Sequence, residues 1–253
     1  MGKQTIADKM AEKTFLSEGF QSQWRMHLRA FGPILAPAFV EKYQALVHLT
    51  AALNLISNGK IKDGLNKLQL VEKYISCDAD RAAWLFCHGL AYEMGGQHQQ
   101  MAAYYVAAGA LKPKFWWPYV KAGKYLYQCG DLEAAAEQFI LATESCEGQD
   151  LSKDLQTLTV MGSVYTNLCS VLTQLHRYDE AEAALEQSKQ LLPGLPGRAA
   201  TEAILRAAQG HREAAEEALQ RVKQETPMVW EATAQTVEDI LCGRHPEFSE
   251  GET

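Results

Sequence analysis

The chain repeats itself at one fixed spacing, and that period restricts its folding more than any other feature. Gly89, Gly96, Tyr105 and Ala108 are followed 34 positions later by Gly123, Gly130, Phe139 and Ala142. A second pair obeys the same spacing: Tyr178, Ala181, Leu185 and Pro193 align with Arg212, Ala215, Leu219 and Pro227. Periods of about 20–50 residues are the signature of stacked supersecondary units, each unable to bury its apolar face alone. The small residues allow close approach, and the large ones fill the next interface.

Within each period the apolar residues recur at helical spacing, and the breaks carry Asn58-Gly59, Gly95-Gly96, Gly130, His176 and Gly210. The chain is rich in Ala, the best helix former, and has only 8 Pro in 253 residues. The pattern predicts helices near 4–17, 20–31, 37–57, 61–75, 80–94, 98–111, 115–129, 132–146, 152–175, 178–191, 196–209, 212–224 and 228–242. The spacing between the second and third good repeats is longer than the period. The surplus falls at 148–161, which predicts an extended helix or a longer loop. Three regions follow: an N-terminal helical segment over 1–36, an array over 37–242, and a polar tail over 243–253, expected to be disordered.

The motif set resembles the tetratricopeptide repeat family. Gly89, Tyr92, Tyr105, Ala108 and Pro113 fill that family's pattern, as do Tyr119, Gly123, Ala135, Phe139 and Ala142. Tyr165, Leu168, Tyr178, Ala181, Leu185 and Pro193 supply a third match, Ala203 to Pro227 a weaker fourth, and Ala52 to Val71 a degenerate early one. The resemblance covers roughly 45–227. It implies an all-α fold: a right-handed α-α superhelix of about four to five helix pairs, with extra N-terminal helices and a C-terminal capping helix. It also implies a concave face lined by the first helix of each pair.

By register with that repeat, the inner face holds Phe86, Leu90, Glu93 and Met94, then Trp117, Val120, Lys121, Lys124 and Tyr127, then Thr166 and Ser170. Lys112, Lys114, Lys121 and Lys124 interleave with Phe115-Trp116-Trp117-Pro118-Tyr119. An aromatic shelf beside cations suits a peptide with an acidic group; solvated lysines and inter-repeat packing are the plainer reading of the same residues. The family's carboxylate clamp needs Lys and Asn where this chain has Phe86 and Leu90, or Thr166 and Ser170, so that ligand is not carried over.

Net charge is −7, with 24 basic and 31 acidic residues, which argues against nucleic acid as partner. Six Cys without C-x-x-C spacing suit free, mostly buried thiols in a reducing cytoplasm. The N-terminus lacks the pattern of a signal peptide or myristoyl site, and no apolar run is long enough to span a membrane. No phosphate loop, dinucleotide fingerprint, zinc-protease or serine-hydrolase motif is present, and the seven His are scattered. The expectation is a non-enzyme, without cofactor or metal, that binds a protein or peptide partner in its groove. Residues 89–142 are also similar to helical-repeat chaperones of type III secretion, which hold an apolar segment of a client; this chain departs from them by two further repeats. The amphipathic pattern of Phe15, Leu16, Phe20, Trp24, Leu28 and Phe31 would cap the array, fill the groove or mediate a homo-oligomer.

Overall fold

The computed structural model describes residues 43–75, 78–111, 115–146 and 155–245. These form eleven helices and no strand: α1 Tyr43–Ser57, α2 Ile61–Glu72, α3 Asp78–Met94, α4 His98–Leu111, α5 Trp116–Gln128, α6 Leu132–Glu144, α7 Leu155–Gln174, α8 Tyr178–Leu191, α9 Arg198–Ala208, α10 Arg212–Glu225 and α11 Pro227–Leu241. The all-α expectation holds among the described residues. The two helices expected before residue 37, and nearly all of the tail, lie outside them. The surplus near 148–161 is in part helical: α7 is the longest described helix at 20 residues. Expected helix 196–209 starts at Arg198 instead, because Pro196 and the left-handed Gly197 (φ +84°) precede it.

One local device sets the turns. Gly59, Gly96, Gly130, His176 and Gly210 each have positive φ, between 57° and 79°. In each turn the amide of this residue returns to the carbonyl three positions back, and the next amide to the carbonyl five back, as in Gly59 to Ile56 and Lys60 to Leu55. This is the Schellman end of an α-helix, which satisfies carbonyls the helix leaves orphaned. Only His176 lacks the glycine that makes this conformation free of Cβ strain.

The chain divides into two compact units, Met1–Tyr125 and Leu126–Thr253. In the first, α1 pairs with α2 and α3 with α4, and α3 packs on both α1 and α2. Its core runs from Leu49, Ile56, Leu68 and Val71 to Phe86, Tyr105 and Phe115. In the second, α7 pairs with α8 and α9 with α10; α9 packs on α7 and α8, and α11 on α9 and α10. The same rule therefore acts in each unit: the first helix of a pair settles on both helices of the pair before it. α11 buries Thr233, Val237 and Ile240 and turns Glu231, Gln235 and Glu238 outward. A polar outer face on the last helix is what ends a stack in water.

Close approach depends on small residues. A Cβ on Gly89 would lie 2.5 Å from the Tyr105 ring, and one on Gly109 would lie 2.5 Å from Tyr119. Gly210 is the opposite case, with no atom within 4 Å of such a Cβ. Gly210→Ala should therefore cost about 1–2 kcal/mol through backbone strain alone. Gly89→Ala gains helix propensity of ~1 kcal/mol but overpacks the core, for a net loss of about 1–2 kcal/mol. Combining it with Tyr105→Leu should cost less than the sum of the two single changes, as read by urea unfolding.

Candidate functional site

The last turn of α3 and one face of α5 bring together part of the expected inner face within the first unit. Trp117, Lys121 and Lys124 fall at i, i+4 and i+7 of α5 and so share a side of that helix. Lys121 donates to both carboxylate oxygens of Glu93, at 2.7 and 3.0 Å. The Tyr105 hydroxyl, from α4, donates to Glu93 Oε2 at 2.6 Å. Three helices thus meet at one carboxylate. Burial and the neighbouring Glu93 push the Tyr105 phenol far above its ordinary value, so it is a permanent donor.

Lys124 differs from Lys121. It closes no ion pair among the described residues, and it is an exposed residue. Its ammonium is held below the ordinary lysine value by partial desolvation first and by repulsion from Lys121 second, while Glu93 pulls the other way. Trp117 is partly buried, packed against the core and stacked on Trp116 at 4.6 Å between ring centroids. Met94, at the end of α3, is 57% exposed. These helices thus carry an exposed thioether at the end of α3 and, on α5, a partly buried indole and an exposed ammonium.

Other expected lining residues lie elsewhere. Phe86 and Val120 are each 1% exposed, and Leu90 is buried as well. Phe86 packs edge-on to Phe115, at 5.2 Å between centroids, and tilted on Tyr105 at 5.3 Å. These three are interior residues: the exposed positions of α3, Asp78, Arg81 and Met94, lie in its first and last turns, and Val120 points into the core from α5. Lys112 and Lys114 fall outside the described residues.

Tyr127, Thr166 and Ser170 belong to the second unit. Tyr127 accepts from Gln174 at 3.0 Å. Thr166 bonds the Gly162 carbonyl at 2.9 Å and lies 3.0 Å from the Ser188 hydroxyl; Ser170 lies 3.4 Å from Thr201. Those hydroxyls stitch α7 to α8 and α9 rather than presenting a free row of donors.

Two features went unread in the sequence. Tyr105 was expected only to fill space; the phenol that reaches Glu93 is absent at its repeat equivalent, Phe139, and that difference was the available signal. The second is Glu202, nearly buried, which takes Lys189 at 3.0 Å and Arg221 at 3.1 Å. Burial works against its ionisation, but those two cations prevail and keep its carboxyl below the ordinary value. It ties α9 to α8 and α10.

Among the described residues no cluster of three His, Cys, Asp or Glu side chains could hold a metal, and no helix is long and apolar enough to cross a membrane. Cys87, Cys146 and Cys169 are buried, and burial pushes Cys146 and Cys169 up to about 12 and Cys87 higher still, so all three stay thiols. Cys129 and Cys242 are exceptions to the expected burial and lie exposed. Compared with known proteins, the chain matches no family model and no curated relative.

His88 is 6% exposed, and neither ring nitrogen has a partner. It is enclosed by Trp84, Tyr92 and Tyr104, at 4.3, 6.4 and 5.0 Å between ring centroids. Burial lowers its pKa to about 4. The unfolded chain takes up this proton near pH 6.5 and the folded chain only near 4, so stability is present above pH 6.5 and is lost as pH falls toward 4. Between pH 7 and pH 5 the loss from this group should be ~2 kcal/mol. Urea midpoints at the two pH values check it, and His88→Phe should remove that share of the difference.

Proposed function

We propose that this chain is a tetratricopeptide-like array of helix pairs that binds a partner segment and performs no chemistry of its own. The segment it takes joins a carboxylate to an apolar or aromatic residue. The carboxylate meets Lys124, and the apolar neighbour lies on Trp117 and Met94.

The observation that carries this reading is the inequality of the two lysines. Glu93 and Tyr105 hold Lys121 in place, at 2.7 Å from the carboxylate. Lys124, one turn further along the same face, has its charge available. Lys121 is committed to its ion pair, whereas the Lys124 ammonium is left to meet a carboxylate from a partner. Support for the array comes from the shared stacking rule of both units and from the five like turns. A stack of pairs with varied surface side chains is a recurrent way to present a binding face.

Fluorescently labelled peptides with one Glu or Asp beside Trp, Phe or Leu are the probe, with amide-for-acid versions as controls. Acidic peptides should bind, and binding should weaken with added salt. Lys124→Ala should weaken it roughly 10-fold, consistent with one charge-assisted hydrogen bond. Lys124→Glu should abolish it, with the circular dichroism spectrum kept as the check that the helices still form. Equal binding of acid and amide peptides, or indifference to both Lys124 variants, would refute the proposed face.

A further inference from the structure

Where α2 ends against α1, the first unit gathers cations that it does not pair with acids. Lys67 and Leu70 lie on α2, and Lys73 and Tyr74 in the turn that closes it, where the Tyr74 amide returns to the Val71 carbonyl at 2.8 Å. His48, from α1, stacks on the Tyr74 ring at 5.7 Å between centroids and 12° between planes. The Lys73 ammonium lies over the same ring, 4.8 Å from its centroid. One phenol ring therefore joins an imidazole to an ammonium. Lys67 belongs to the group as well: burial first, then repulsion from Lys67 and from Lys73, hold the His48 pKa below its ordinary value. At His88 burial alone has that effect.

Among the described residues neither Lys67 nor Lys73 closes an ion pair, although Asp63 stands one turn before Lys67 and Glu72 adjoins Lys73. The Nδ1 atom of His48 is buried without a hydrogen-bond partner, so no protein group fixes the tautomer of the ring. The residue itself is only partly covered, and its proton can sit on the nitrogen that faces outward. Two ammoniums and an imidazole converging in this way suit an acceptor with more than one charge. A carboxylate has a single charge and would leave one lysine unanswered. A phosphate monoester carries about 1.5–2 negative charges near pH 7 and has three acceptor oxygens, one for each donor. Leu70, three positions from either lysine, is 45% exposed and offers apolar surface for the group that the phosphate carries. We infer that His48, Lys67 and Lys73 form a binding site for a phosphate monoester whose apolar part lies along Leu70. The site shares no residue with the Lys124 face, and it stands or falls apart from the peptide reading.

Calorimetric titration of the full chain with phenyl phosphate, inorganic phosphate and acetate tests it. Phenyl phosphate should bind most tightly, inorganic phosphate more weakly and acetate least, and added salt should weaken the binding. Lys67→Ala and Lys73→Ala should each weaken phenyl phosphate about tenfold, and the two together should abolish its binding. His48→Phe keeps a ring against Tyr74 but removes the nitrogens, and it should also weaken binding. Lys223→Ala removes the lysine that lies over the Trp230 ring at the same 4.8 Å, far from any imidazole in the sequence, and should change nothing. Phenyl phosphate bound no tighter than inorganic phosphate or acetate would overturn the inference. So would binding that survives loss of both lysines, or a folded His48→Phe variant with unaltered affinity. Binding to anionic phospholipid vesicles with none to phenyl phosphate would make a membrane surface the ligand and refute the assignment. Should His48→Phe unfold the unit, the lysine variants decide alone; both place a strong helix former at the end of α2, and circular dichroism checks that the helices persist.

Discussion

The absence of a side chain at Gly89 controls what happens around it. Tyr105 lies against the α3 backbone because nothing projects there, and a single added carbon would meet its ring at 2.5 Å. Lying so close, the ring fills the core between Phe86 and the helix, while its hydroxyl emerges beside Glu93. A packing contact thereby becomes a polar one. Glu93, held by Tyr105, in turn holds Lys121. The position of that lysine on α5 then leaves Lys124 as the exposed cation without an ion pair of its own. Fold and candidate surface are linked through one missing methyl group.

Two ways of handling polar groups coexist in the molecule. At Glu202 a buried carboxylate is fully answered by Lys189 and Arg221, so α8, α9 and α10 share one electrostatic joint. At His88 the imidazole has no such answer and remains neutral inside a ring of aromatic side chains. An unsatisfied buried nitrogen costs on the order of 1–3 kcal/mol, which packing of the flat rings must offset. The first arrangement needs its partners to stay charged, and the second needs its residue to stay uncharged. Acid therefore works against both.

Much of the architecture was legible in the primary structure because helical repeats are encoded locally. The repeat period, the alanines and the turn residues place most helix boundaries within a few positions. Glycine at 59, 96, 130 and 210 marks the turns because these positions need positive φ. The candidate surface was legible only in part. Glu93, Met94, Trp117, Lys121 and Lys124 were placed on the inner face, and they do adjoin or reach the surface. Phe86, Leu90 and Val120 were placed there too, and are interior. Register along a helix says which residues share a side, but not how many neighbours cover that side.

The amino-acid order alone determined the secondary structure and the helical pairing, because propensity, period and backbone conformation act over a few residues at a time. It also narrowed the chemistry to cations and aromatics on one stretch of chain. Tertiary structure decided which lysine is spent and which is spare, since that turns on a carboxylate 28 residues away and a phenol from a third helix. It also decided that the Thr166 and Ser170 hydroxyls bind their neighbours. Charge and hydrogen-bonding capacity belong to the residue, but whether they remain available depends on what the fold brings within about 3 Å.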